Sequence, residues 1–231
     1  IAMRLLTNRT LVMSMVIAAI TSIPFQASIV YLPLFLQTVH EASVSGSGLQ
    51  LAPLMVMMSV GSIWAGRRVS ATGLYRTMLL AGLVMFLLVT VWVSTLATGT
   101  STLIVVLMML SLGLAFGIVS PIVNVTAQNA MPVADLGAAS SALMTFRSLG
   151  ATLGIAGVGS NLLTRLRSGV AALPGSDGLD IGALASGPDT IAALDEPLKS
   201  GVIDAMSHSI ATAMSVGTPL LLIALVAWYF L

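Results

Sequence analysis

The chain has 231 residues, 57% of them hydrophobic and 7% charged, with a net charge of +1 and a mean hydropathy of +1.05. So small a net charge argues against a nucleic-acid or strongly acidic partner, and the absence of cysteine removes disulfides, thiolate metal sites and thiol redox chemistry. The two histidines, His40 and His208, stand at the edges of apolar runs far apart in sequence, too few to build a metal site without scattered carboxylates.

Six apolar runs, each roughly 20 residues long, cover about 11–37, 49–66, 77–97, 102–127, 138–162 and 207–230. A run of that length crosses about 30 Å of hydrocarbon as a helix, and lipid leaves backbone groups no other partners than one another. The predicted fold is all-α, a polytopic membrane protein with six transmembrane helices. Residues 1–164 hold five helices with short loops, 165–204 an extracytoplasmic loop, and 205–231 the last helix. The chain opens on Ile1 and ends at Leu231 inside an apolar run, and so reads as a piece of a longer polypeptide. Arg4 and Arg9 precede the first run, which is too long for a signal peptide.

In the first run Ser22, Gln26, Pro33 and Gln37 recur at steps of four, seven and four, which puts them on one helical face. The second run offers a less polar stripe of Gln50, Pro53, Met57 and Gly61, beside Met55 and Met58. Arg67, Arg68 and Arg76 join it to the third run, whereas the first–second and third–fourth connections carry no Lys or Arg. Basic connections face the cytoplasm, so the first helix enters from that side. The third run is apolar on nearly all sides and suits a lipid-facing helix. The fourth carries Gly113, Gly117, Pro121, Asn124 and Gln128 on one stripe, and the fifth carries Gly150, Gly154 and Gly157.

Arg147, one turn before Gly150, is the only charge well inside a run, about 9–15 Å in from the cytoplasmic end. Either its stem reaches back to the interface or it serves a cavity or gate. The stretch from Arg165 to Asp204 holds most of the acids with several Gly and Pro, and reads as a solvated loop with a short surface helix near its end. It lies outside despite Arg165, Arg167 and Lys199, since long loops translocate with little regard to charge. Pro33 and Pro121 fall at matching depths of a first and a fourth run, which suits two inverted groups of three, although no internal sequence repeat is evident. The polar stripes admit two readings: helix–helix contacts, or the wall of a shared cavity where prolines free backbone carbonyls.

The stretch YLPLFLQTVHEASVSGSGLQLAP, from Tyr31 to Pro53, resembles the fourteen-span drug:proton antiporter branch (EmrB/QacA type) of the major facilitator superfamily, with Glu41 where that branch usually has Gly. QNAMPVADLGAASSALMTFRSLGATLG, from Gln128 to Gly154, is similar to its QNAVPxxxLGxASxxxxxxRxLGGxxG pattern, with Ala151 in place of a second Gly. The connection from Gly66 to Arg76 looks like a worn copy of the superfamily's GxxxDRxGRR motif: Gly66 and Gly73 fit, Arg76 falls just past the basic pair, and Ser70 and Ala71 replace the acid and its Arg. That leaves a tight turn with basic anchors.

The resemblance implies the C-terminal half of a transporter, its last six spans, with the first, second, fourth and fifth lining the central path. It implies proton-coupled efflux of multiple drugs or other amphipathic compounds by alternating access in a bacterial inner membrane. The proton gradient would be the energy source, with no cofactor, and the partners would be the bilayer, the missing N-terminal half and a small amphipathic substrate. Substrate would meet Ser22, Gln26, Met57, Asn124 and Gln128; gating or structural work would fall to Pro33, Gln37, Gly66, Gly73, Arg76, Pro121, Arg147, Gly150 and Gly154. The first five runs contain no Asp, Glu, Lys or His, so the proton carrier is expected in the missing half. The competing readings are an exporter or flippase of an endogenous lipid or metabolite, and a non-transporting receptor or assembly subunit. A membrane enzyme would need converging His, Asp, Glu or Cys at one depth, which the runs lack.

Overall fold

The computed structural model describes residues 7–39, 51–174, 176, 179–186, 190–191 and 194–231. His40, Glu41, Gln50, Arg4, Asp177 and Asp189 lie outside them. Among the described residues the chain is all-α: α1 (Arg9–Val39), α2 (Ala52–Thr72), α3 (Tyr75–Val93), α4 (Thr102–Asn129), α5 (Leu136–Ala171), α6 (Ile181–Ser186), α7 (Leu198–Ser215) and α8 (Gly217–Tyr229), with a 3-10 turn at Val133–Asp135.

Among the described residues, five segments are both long and apolar enough to cross a membrane: α1, α3, α4, α5 with its leading turn, and α7 with α8 as one span. The remaining expected run forms α2, a long helix packed along α4. The 21 residues of α2 suffice in length, but the helix runs on through Arg67, Arg68 and Ser70, which lower its apolarity. For the same reason Gly66 is not part of the turn: it sits within α2, exposed, with nothing near enough to meet a Cβ. The turn narrows to Gly73 and Leu74. Gly73 adopts φ 67°, and its N–H donates to the Val69 carbonyl at 2.8 Å, closing the helix end. A side chain resists that left-handed conformation by roughly 1–2 kcal/mol. Gly73→Val is therefore expected to lower the thermal midpoint in detergent, and a midpoint equal to wild type would refute the assignment.

The stretch 165–204 also departs from the sequence reading. α5 has 36 residues, about 54 Å at 1.5 Å per residue, so Arg165 and Arg167 ride on its C-terminal end rather than in a loop. The short helix α6 falls in the middle of the 165–204 stretch, and the last span begins at Leu198. That span breaks at Val216, where Pro219 has no N–H for the Ser215 carbonyl and its ring crowds it.

Contacts between distant segments fix an up-and-down arrangement. On one rim Asn8 Nδ2 donates to the Ala130 carbonyl at 2.8 Å, and the Arg9 guanidinium lies 4.8 Å from the Phe230 ring centre. Trp228 Nε1 donates to the Arg76 carbonyl at 2.8 Å. The starts of α1 and α3 thus meet the ends of α4 and α8. On the opposite rim Thr98 Oγ1 donates to Asp204 Oδ1 at 2.7 Å, joining the α3–α4 connection to α7.

Between the rims, two parallel helix pairs form the frame. Gly113 and Gly117 of α4 lie directly on the backbones of Leu54 and Met58 of α2, and Gly61 of α2 returns the approach against Leu114. Gly150 of α5 lies on the Ala19 carbonyl of α1, and one turn later a Cβ on Gly154 would stand 2.8 Å from Ile23 Cα. In both pairs four residues on one helix match four on the other, so the helices run parallel and in step. Small residues permit this approach, which in lipid must be won by close packing. The pairs meet where α1 packs on α4: Phe25 stacks on Phe116 with ring centres 3.7 Å apart, and Phe86 of α3 meets Phe116 edge-on at 6.1 Å. Exchanging α1, α2 and α3 for α4, α5 and α8 maps α1–α5 onto α2–α4, and α3–α4 onto α1–α8, all observed contacts. An inverted repeat leaves that pattern.

Candidate transport face

Helix pairing decides which polar side chains remain free. On α1, Ser22 is buried and its hydroxyl donates to the Ala18 carbonyl at 2.6 Å; Pro33 is buried as well. The α1 stripe predicted from spacing is thus split: Gln26 and Gln37 keep partial exposure, whereas Ser22 and Pro33 are taken up in packing. Gln26 stands three residues beyond Ile23, at the edge of the α1–α5 seam.

On α4 the stripe divides in the same way. Gly113 and Gly117 are covered by α2, which is the helix-contact reading of those positions. Pro121 has no N–H to offer the Gly117 carbonyl, and the Ser62 hydroxyl of α2 donates to that carbonyl instead, at 3.1 Å. Pro121 also lines a cavity of about 110 Å³ between α2 and α4, with Ala65, Gly66, Ser70 and Val125. Asn124, seven residues beyond Gly117, flanks the α2–α4 seam half-buried; its Nδ2 donates to the Ser120 carbonyl at 3.1 Å, leaving Oδ1 open as an acceptor. Gln128 is exposed, and its Nε2 donates to Ser140 Oγ of α5 at 3.3 Å. Met57 is half-buried on α2. No hydrogen bond joins Gln26 to Asn124 among the described residues: the two amides occupy the edges of different seams.

The structure adds a set that spacing did not single out. Ser141, Thr145, Ser148 and Thr152 recur at steps of four, three and four on the exposed face of α5. Ser141 donates to Ala138, Thr145 to Ser141 and Thr152 to Ser148, so these hydroxyls present their lone pairs outward. Thr145, Ser148 and Thr152, with Met144 and Leu149, line a shallow groove of about 400 Å³. The heptad-like spacing is present in the sequence, but the glycines of the same helix outweigh it there. By contrast α3 bears an open groove of about 650 Å³ lined almost wholly by apolar atoms, from Thr77 to Val89, the surface a lipid-facing helix presents.

Arg76 is exposed, with its guanidinium 5.8 Å from the Trp228 ring centre at the rim. Arg147 is half-buried, and its Nε is buried with no hydrogen-bond acceptor. By register with Gly150 and Ala19 it stands beside Val16 of α1. Among the described residues no group of three His, Cys, Asp or Glu is placed to hold a metal. The arrangement offers amides, hydroxyls and thioethers along the seams.

Residues 2–155 match the Major Facilitator Superfamily. The chain is similar to the multidrug transporter protein MdtP of Bacillus subtilis, 34% identical over 166 residues that cover 71% of this chain and 30% of that protein. It is similar also to the MFS efflux transporter aclA of Aspergillus oryzae, 32% identical over 66% of this chain and 28% of the relative. The tetracycline resistance determinant of Streptomyces rimosus is 27% identical over 54% of this chain and 36% of its own length. The chain thus spans roughly 28–36% of the length of these relatives.

Proposed function

The chain belongs to the Major Facilitator Superfamily, and from that membership we propose that it is the C-terminal half of a proton-coupled exporter of small amphipathic compounds, of the fourteen-span branch. Such a protein would work by alternating access in a bacterial cytoplasmic membrane, with the bilayer and an N-terminal half as its partners. The similarity to MdtP, a multidrug transporter, and aclA, an efflux transporter, supports the direction of transport.

The observation that carries the reading is the pairing itself. Two parallel pairs, α1–α5 and α2–α4, are each closed by glycine against backbone. Their seams leave Gln26 and Asn124 part-exposed, and α5 adds its hydroxyl face. Each pair can move as a stiff body while the polar edges meet a cargo that is largely apolar. α1 to α4 carry no acid, Asp135 stands at the start of α5, and Asp204 of α7 is exposed at the rim, where it accepts from Thr98, so the proton carrier belongs to the other half in this proposal.

The test replaces Gln26, Asn124, Gln128 and Met57 by alanine in the whole transporter, with drug accumulation and response to an imposed pH gradient as readouts. Relative export of different cargoes is expected to shift by roughly 10-fold, the scale of a lost pocket contact, with coupling intact. Lost coupling with unchanged cargo binding counts against the assignment.

A second reading, export or flipping of an endogenous lipid, is favoured by the exposed apolar face of α2, where Met55, Val56, Val60, Ile63 and Trp64 stand open. A liposome assay of lipid translocation separates the two.

A further inference from the structure

We infer that Arg147 is a receptor for a carboxylate that reaches it at the α1–α5 seam, supplied either by another part of the transporter or by an anionic cargo. The inference rests on the transport reading but concerns one side chain. A guanidinium presents five N–H donors in a planar fork and keeps its charge. Here Nε is shut away from solvent without an acceptor, and no hydrogen bond of the guanidinium is found among the described residues. A charge inside a spanning helix ordinarily pairs or faces a cavity.

Position sharpens the point. Gly150 on Ala19 sets Arg147 level with Val16 of α1, seven residues beyond Arg9. That is about 10 Å inside the rim that Arg9 and Phe230 mark. Nε alone of the three guanidinium nitrogens is closed off without a partner, so the Nη groups stay reachable from the open side of the seam. Arg147 is flanked on α5 by Met144 and Ser148, which line the open groove beside it. No acid is near in sequence: Asp135 lies twelve residues away, about 18 Å along the helix. The open side of the seam is therefore where an acceptor arrives. A carboxylate fits the fork with two parallel hydrogen bonds.

The experiment uses the whole transporter, purified, as Arg147→Met and Arg147→Lys. Vesicle export by the wild type tests the transport reading, while thermal stability in detergent tests this inference independently, with and without laurate as an amphipathic carboxylate and ethidium as a cationic control. If the carboxylate is the protein's own, Arg147→Met lowers the midpoint without any cargo, and neutralising the partner acid restores it. If it belongs to cargo, Arg147→Met leaves the empty protein unchanged but weakens laurate stabilisation roughly 30-fold or more in apparent affinity, sparing ethidium. In either case Arg147→Lys keeps the charge without the fork and falls between wild type and Arg147→Met. An Arg147→Met protein identical to wild type in midpoint and in laurate response overturns the inference, as does full equivalence of Arg147→Lys.

Discussion

Gly117→Ala and Gly150→Ala are each expected to lower stability by about 1–3 kcal/mol, and their leucine variants to prevent assembly of the bundle. The physical reason is what the added atom meets. At both positions the new Cβ falls on a carbonyl of the neighbouring helix, Met58 or Ala19. A side chain in the way can rotate; a backbone can only retreat with its whole helix, and retreat opens the seam along its length. In lipid no transfer of apolar surface out of water rewards a looser fit, so packing lost at the seam is not regained elsewhere. Gly157→Ala supplies the internal control. It lies on the same helix as Gly150, has ordinary helical geometry, and has nothing within 4 Å of a Cβ. It is expected to gain about 0.5–1 kcal/mol from reduced chain entropy. The measurement is the thermal or denaturant midpoint in one detergent for all variants. An equal gain from Gly157→Ala and Gly150→Ala would show that helix propensity, and not the seam, decides the effect.

How much of this was open to sequence reading depends on which property carried the signal. The number of long apolar runs follows from hydropathy, a sum over many residues that tolerates local error. Their ends depend on single residues: Arg67 and Arg68 suggest a loop, yet exposed arginines are good helix formers and α2 continues to Thr72. Stripes were visible, but their partners were not. Ser22 and Gln26 lie 40° apart on a helix, close enough for one stripe, and still α1 buries the first and leaves the second part-open. Gly113 and Gly117 fit a polar stripe and a contact stripe equally, because glycine has no side chain to declare a side; only the backbones of Leu54 and Met58 decide it. At Arg147 the sequence announced an unusual charge, while the buried and unaccepted Nε required coordinates.

Least legible was the junction between the two helix pairs, since Phe25, Phe86 and Phe116 look like any other apolar residues in their runs. Phe116→Ala is expected to be the most damaging of the three truncations. Its ring lies in both contacts, stacked on Phe25 at an interplanar angle of 5° and edge-on to Phe86 at 67°. Phe→Ala in a soluble core costs roughly 3–5 kcal/mol. A bilayer lowers this figure, because separated helices still keep the ring in an apolar medium. What remains is lost dispersion and the cavity, so a value near the bottom of that range, about 3 kcal/mol, is expected. Phe25→Ala leaves the Phe86 contact, and Phe86→Ala leaves the stack, so each should cost less. The double variant Phe25→Ala/Phe116→Ala should cost less than its two parts summed, by about 0.5–1.5 kcal/mol, the scale of one aromatic pair. Equilibrium unfolding in micelles reads all four. Strict additivity would mean that the rings touch without coupling, and that the α1–α4 junction is held by the rest of its packing.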